Sequence, residues 1–356
     1  MADDLEFIAR TTGKAEIKPE TAEKLLQGLA ERAEVPRTFK RIAARSSKWG
    51  IPRSFVGYRA DPTVQIGGYA PKWVLVSDDG GPDYIVKRPT YRGGLMETLT
   101  ELLINQLGTA FGFEMAHSGL VSIDGRTAFV TRSFLGRAEH LVHGSFLIED
   151  VCQAKRGELN GLPHGRKEQE FYSADFVIES MVAYCGFEAI AVITKFVEMV
   201  LFDALIGSTD RHAQNWGVIR SSTTQGGYRF SPIFDTSRGL FWNLPDAKLL
   251  GFQQDEALLR FHIDRACPVM GPERKVLKSR KCNHFDFLAS LFAAFPQLKV
   301  TAITKVPCMI EKTTLSILES FPFRGAFSKL RRDTILKLIL IRADLVSQVL
   351  VGKGVT

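Results

Sequence analysis

Hydrophobic and polar positions alternate with two different periods along this chain, and the places where the period changes divide it into parts. Trp73 to Val76 forms a β-prone run, the cluster SDDGGPD marks a turn, and Tyr84-Ile85-Val86-Lys87 forms a second run, so two strands joined by a tight connection are expected. Over residues 96–112 the period lengthens. Leu99, Leu102, Leu103, Ile104, Leu107 and Phe111 recur at helical spacing and the pattern stops at Gly112. The runs VSI and TAFVTRSF then flank Asp124-Gly125, a pair suited to the positive φ angles of a hairpin turn. From Phe146 onward the pattern is helical: FLIEDVCQA, Phe171 to Tyr184, and Ala189 to Ile206, with further helices over Phe285 to Phe295 and Arg331 to Leu350. Ala189 to Ile206 is apolar nearly all round, which predicts a helix buried at the centre of its lobe. Ahead of all this, Leu25, Leu26 and Leu29 predict a short helix behind Pro19. The fold class is therefore α+β and two-lobed: a basic helical extension over 1–60, a small lobe of antiparallel sheet plus one helix over 61–140, and a mainly helical lobe over 141–356.

Composition changes this picture little. With 356 residues, 45% hydrophobic and 24% charged, the chain has ample material for a core and none of the bias of a disordered segment. A formal charge of +7 and a pI near 9.1 favour anionic partners without choosing among nucleotides, nucleic acid and acidic proteins. Cys152, Cys185, Cys267, Cys282 and Cys308 are widely spaced with no CxxC pair, so buried free thiols in a reducing compartment are expected rather than a zinc or redox site. The start, MADDLEFIAR, lacks the apolar core of a secretory signal. The apolar stretches Phe187 to Gly207 and Ile335 to Val351 are broken by Lys195, Glu198 and Asp203 and by Lys337, Arg342 and Asp344. The expectation is a cytoplasmic protein with no membrane partner.

Chemistry concentrates between Leu205 and Asn243. Asp210 leaves an apolar helix, Asn215 follows with four residues between, and Asp235 comes just after a short apolar strand. Metal-assisted phosphoryl transfer needs this set: one aspartate to orient an attacking hydroxyl and take its proton, and an amide and a second carboxylate to hold Mg2+ against nucleotide phosphates. The same residue types also build ordinary turns. Upstream, Gly67 and Gly68 precede the first strand, where backbone amides could face phosphates, and Lys87 ends the second. Glu97 and Glu101 on the following helix are both candidates to pair with Lys87, and Glu101 is favoured. Thr131 to Phe134 would form the connection between lobes, where backbone groups could meet an adenine.

Two basic runs stand outside this set. Arg32 to Arg59 interleaves Arg and Lys with Phe39, Trp49, Phe55 and Tyr58, a pattern that serves either a solvated helix with inward aromatics or a nucleic-acid contact. Arg274, Lys275, Lys278, Arg280 and Lys281 read as solvated surface able to meet an acidic partner.

GGYAPK, YIVKRP, TELLINQLGTAFGF, FLIEDVCQA, STDRHAQNWG and PIFDTSRGL follow one another in the order found in HipA-like Ser/Thr kinases, the toxin kinases of bacterial toxin–antitoxin systems. The resemblance runs from about Gln65 to Leu350 and is most specific at the D-x-H-x-x-N box with its later aspartate. It implies a two-lobed protein-kinase-like fold and transfer of the ATP γ-phosphate, with Mg2+, to a protein serine or threonine. Lys87 then corresponds to the phosphate-binding lysine, Asp210 to the catalytic base, His212 to a residue bracing the catalytic loop, and Asn215 and Asp235 to the metal ligands. Gly67, Gly68, Glu101, Arg132 and Phe134 belong to the nucleotide site on the same basis. The family also implies a translation component such as an aminoacyl-tRNA synthetase as substrate, and a helix-turn-helix antitoxin as partner.

The sequence departs from that pattern in three places. Gly67 stands where an autophosphorylated serine is usual. The exit strand reads Thr131-Arg132-Ser133-Phe134 rather than carrying an acid and an arginine before the phenylalanine. A basic helical preface stands in place of the β-rich N-terminal subdomain. Two rival readings share the same residues: a lipid or small-molecule kinase, and a pseudokinase serving as a binding module, with nucleic acid as its ligand through the basic preface. Intact Lys87, Asp210, Asn215 and Asp235 favour an enzyme over the second.

Overall fold

Trp73 and Leu75 on one strand, and Tyr84 and Val86 on the next, turn to the same side and are all nearly inaccessible to solvent. This is the alternation that a half-buried sheet requires. A computed structural model describes residues 39–41 (backbone only), 55, 57–61, 70–90, 94–123, 125–154, 172–223, 227–272 and 282–352. The chain divides into two units: the described residues up to Thr98 together with Gly119–Arg132, and Leu99–Ser118 together with the described residues from Ser133 onward.

The first unit is built on a six-stranded sheet of β1 (Phe39–Arg41), β2 (Tyr58–Asp61), β3 (Lys72–Ser77), β4 (Tyr84–Lys87), β5 (Ser118–Ile123) and β6 (Arg126–Arg132) in the order β1-β5-β6-β4-β3-β2. The pairs β1–β5, β2–β3, β3–β4 and β4–β6 are antiparallel. Val121, Ile123, Ala128 and Val130 complete one apolar face with the four residues named above. Phe55, Tyr58 and Tyr84 meet edge to face at centroid separations of 5.3–5.5 Å, a geometry that aromatic quadrupoles favour. Phe39–Arg41 and all but the last residue of Tyr58–Asp61 fall in the range read from sequence as a helical extension, yet they are strands. The physical cause is non-local: Phe55 and Tyr58 find a partner surface on the sheet that no window of local sequence contains. The expected helix over 19–34 lies outside the described residues, as does the second basic run at 274–281.

The second unit starts within α1 (Gly94–Ala110) and contains α2 (Gly144–Ala154), α3 (Ala174–Cys185), α4 (Ala189–Ile206), α5 (Asp246–Gln254), α6 (Glu256–Arg265), α7 (His284–Ala294), α8 (Pro296–Thr304), α9 (Ile310–Leu318), α10 (Phe323–Ala326) and α11 (Lys329–Val351). From Phe196 to Ile206 α4 is buried on every side, as its composition predicts, whereas Ile190 in its first turn is exposed. Among the described residues no helix is long and apolar enough to cross a membrane. Cys185 is buried, whereas Cys308 is exposed, contrary to the expectation of uniformly buried thiols.

A small antiparallel sheet, β7 (Glu139–His143), β8 (Gly217–Ser221) and β9 (Tyr228–Phe230), was not evident in the sequence pattern. It matters because its strands connect the candidate residues: β8 begins two positions after Asn215 and β9 leads towards Asp235.

Candidate active site

The loop between α4 and β8 is held by backbone geometry first. α4 ends at Gly207, whose φ of 67° lies in the left-handed region that glycine enters at little cost. The Ser208 N–H returns to the Asp203 carbonyl at 3.0 Å. The Thr209 N–H donates to the Arg238 carbonyl (3.1 Å), the His212 N–H to the Asp210 carbonyl (2.9 Å), and the Asn215 N–H to the His212 carbonyl (2.9 Å). The Asn215 side chain closes the turn, its Nδ2 donating to the Asp210 carbonyl at 2.8 Å. Asn215 is 6% exposed, whereas the Asp210 side chain keeps 46% of its surface, so the loop buries the amide and presents the carboxylate.

Arg211 fixes this arrangement from below. Its Nε and Nη2 donate to both oxygens of Asp203 on α4 (2.8 and 2.9 Å), and its Nη1 donates to the carbonyls of Asn215 and Phe234 (2.8 Å each). One guanidinium thus ties together the buried helix, the end of the Asp210 loop and the residue preceding Asp235. Burial alone would lower its pKa, but the charge of Asp203 and its hydrogen bonds outweigh that and hold it raised. Tyr172 adds a further tie. Its hydroxyl donates to the Arg211 carbonyl (2.6 Å) and accepts from Trp216 Nε1 (2.9 Å), and burial pushes the phenol far up, so it remains a donor.

Asp235 has a φ of 51° and Leu240 a φ of 52°, two non-glycine residues in the left-handed region within six positions. Such conformations cost of order 1–3 kcal/mol and persist only where surroundings over-determine them. Here the surroundings are visible. Ile233 donates to the Glu114 carbonyl (2.7 Å), Leu240 donates to the Ile206 carbonyl (2.8 Å), and Arg331 on α11 donates to the carbonyl of Phe241 (3.1 Å).

Trp216, completely buried, stacks on Phe230 and sits where α2 begins. A Cβ on Gly144 would lie 2.2 Å from the Trp216 ring, and the Gly144 and Ser145 amides donate to the Trp216 and Ala213 carbonyls at 3.1 and 3.0 Å. Gly144→Ala is therefore expected to destabilise by about 1–3 kcal/mol, the usual penalty for overpacking. Gly325→Ala, where nothing stands within 4 Å of the new methyl, should be close to neutral. Urea melts of both variants check the contrast, and equal midpoints would contradict it.

The remaining sequence-derived positions distribute as follows. In the first unit Lys87 is only 7% exposed at the end of β4, opposite Lys72 on β3 and Phe129 on β6, a burial that a lysine tolerates when its ammonium is paired. Glu97 is taken by Thr90, accepting from its amide (2.8 Å) and its hydroxyl. Arg132 ends β6 opposite Tyr84. In the second unit Glu101 is buried on α1, and Phe134 packs on Phe234 at a centroid distance of 5.5 Å while its carbonyl accepts from Arg229. The His212 ring accepts from the Gln214 amide at 3.3 Å, a contact internal to the loop. Gly67 and Gly68 lie outside the described residues. Sequence reasoning missed Arg211, Tyr172 and Trp216. The signal that could have found the first was Asp203, a carboxylate set among Leu201, Phe202, Ala204 and Leu205 that must find a buried cation.

Asn215 and Asp235 offer one amide oxygen and one carboxylate. That is a hard-oxygen pair too small for an all-protein cage, and no group of three or more His, Cys, Asp or Glu suited to a metal occurs among the described residues. Mg2+ fits such a pair, since it usually takes one or two carboxylates and completes its shell with waters and substrate phosphates.

Comparison with known proteins bears on the family and the fold. No curated protein matches the sequence. Among solved structures, the Helicobacter pylori proinflammatory kinase CtkA is similar at 17% identity and a TM-score of 0.65, over 84% of this chain and 97% of that one. HipA of a Shewanella oneidensis toxin–antitoxin system, solved with HipB and operator DNA, is similar at 15% identity and a TM-score of 0.38, over 96% of this chain and 76% of that one. The first of these likenesses shows a kinase-like fold. Residues 64–283 match the HipA-like C-terminal domain, more than half of the chain, and the protein belongs to that family.

Proposed function

We propose that this protein is an ATP-dependent kinase that transfers the γ-phosphate to a serine or threonine hydroxyl of a protein, with Mg2+ as its metal. The observation that carries the reading is the single guanidinium of Arg211 bridging Asp203, Asn215 and Phe234. It ties the end of the loop that carries Asp210 and Asn215 to the residue preceding Asp235. In this reading Asp210 accepts a hydrogen bond from the acceptor hydroxyl and takes its proton as the oxygen attacks. Asn215 and Asp235 would hold the metal, which would supply positive charge against the nucleotide phosphates. Lys87 supplies a fixed cation for the phosphates, and the family resemblance assigns Glu101, Arg132, Phe134, Gly67 and Gly68 to nucleotide handling. His212 shapes the loop through its contact with the Gln214 amide. Family membership is what supports a toxin–antitoxin setting, with a translation component as substrate and a helix-turn-helix protein as partner.

Nucleotide binding tests the reading without knowledge of the acceptor. Mg-ATP titrated calorimetrically should bind the wild type, and Lys87→Ala should weaken binding by roughly 10- to 100-fold. A hydrogen bond to a charged group is worth about 1.5–3 kcal/mol, and tenfold corresponds to about 1.4 kcal/mol. Circular dichroism serves as the folding control. Unchanged affinity in a folded Lys87→Ala protein removes the lysine from the site, and no binding by the wild type removes the kinase reading.

A further inference from the structure

Arg238 lies in the segment that follows Asp235 and reaches back to the Asp210 loop by three routes. Its backbone carbonyl accepts from both the amide (3.1 Å) and the hydroxyl (3.3 Å) of Thr209. Its guanidinium lies over the Trp242 ring, with Cζ 3.9 Å from the centroid. Its Nε stands 3.9 Å from Asp210 Oδ2, the two side chains being 25% and 46% exposed. The segment that carries it is itself fixed at Leu240, whose amide donates to Ile206, and at Phe241, whose carbonyl accepts from Arg331.

An ion pair this open to solvent adds little to the stability of a fold. Its value lies elsewhere. A stacked guanidinium is a cation in one place and one plane, and a carboxylate beside it has fewer orientations open to it. Two groups beside Asp210 in its own loop are engaged elsewhere: Arg211 is committed to Asp203 and two carbonyls, and His212 contacts the Gln214 amide.

We infer that Arg238, steadied by Trp242, is a positioning residue that fixes the Asp210 carboxylate in the orientation from which it meets the acceptor hydroxyl. This rests on the kinase reading above for its consequence in catalysis, but the pairing itself is open to a measurement that needs no activity.

The Arg238 Nε–Hε signal in a 15N–1H spectrum is assigned by its loss in Arg238→Lys. It should change in shift and exchange rate in Asp210→Asn. With ATP and casein as a generic acceptor, Arg238→Met should lower kcat by roughly 10- to 100-fold, the scale of a small misplacement at a reacting centre, while the KM for ATP stays within about twofold. Arg238→Lys should recover part of the loss, and Arg238→Met should cost nothing further in the Asp210→Asn background. If the wild type labels no acceptor, the kinase reading falls and the spectrum alone decides the pairing. An Nε–Hε signal indifferent to Asp210→Asn overturns the inference whatever the kinetics show, and so does a loss in Arg238→Met that appears equally in KM and melting temperature.

Discussion

Arg211→Met should destabilise the protein by about 3–5 kcal/mol, because it leaves the Asp203 carboxylate, itself 3% exposed, buried inside an apolar helix bundle without its cation. The sign is secured by asymmetry. A charge pair taken out of water gains little over a well-packed apolar pair, but half of one is far worse than either. Replacing both partners, Arg211→Met with Asp203→Leu, should therefore recover most of the stability. It should not recover activity, since the carbonyls of Asn215 and Phe234 still lose their shared donor, and the loops bearing Asn215 and Asp235 lose their common tie. Urea melts of the single and double variants give the first comparison, and phosphate transfer the second. A single variant that melts like wild type would contradict the buried bridge. A double variant that recovers transfer along with stability would show that Arg211 serves the fold alone.

That bridge also marks the limit of what could be read from the sequence. The elements that a local pattern specifies were legible. β3 and β4 lie on either side of the expected SDDGGPD turn, β5 and β6 flank Asp124-Gly125, and α4 ends at Gly207 as its apolar run requires. Asp210 and Asn215 were legible as a pair because their spacing is local, and the Asn215 amide does reach the Asp210 carbonyl. What was not legible depends on partners distant in sequence. Glu139–His143 is a short, polar strand that acquires its identity only by pairing with Gly217–Ser221, nearly eighty positions on. Its register is pinned by Glu139 receiving the Arg229 guanidinium and by Gly217, whose missing Cβ lets the Val142 carbonyl approach.

The helices α5 and α6 were missed for a related reason. Only Leu249 of α5 and Leu259 and Ile263 of α6 are buried, too few apolar positions for a period to emerge from sequence. Their starts carry other signals. The Asp255 side chain accepts from the amides of Ala257 and Leu258 at the head of α6, and Asp246 receives Arg331 from α11. Arg331 repeats the logic of Arg211 at the far end of the same segment, a nearly buried arginine that spends its donors on carbonyls and one carboxylate. In both cases the residue doing the positioning bears no motif. Its role is set by where the chain brings unsatisfied carbonyls together, and those positions exist only after folding.

Asp210→Asn should lower kcat for phosphate transfer by about 10²–10⁴-fold while leaving Mg-ATP affinity near that of the wild type. The substitution keeps the side-chain shape and does not touch the backbone carbonyl that receives the Asn215 amide, so the loop's own hydrogen bonds survive. What it removes is the group that can take a proton, and the partner of Arg238. A structural aspartate would behave differently. Its loss would lower the melting temperature and disturb nucleotide binding together with rate, as expected for Asp203 rather than for a side chain that keeps nearly half its surface in solvent. Transfer of label from γ-32P-ATP to proteins of a cell extract, with lipid extract as the alternative acceptor, measures the rate and separates a protein kinase from a lipid kinase. Thermal melts with and without Mg-ATP measure the rest. Labelling by Asp210→Asn at the wild-type rate would show that Asp210 is not the base. A wild type stabilised by Mg-ATP that labels neither acceptor would point instead to a binding module built on a kinase-like fold.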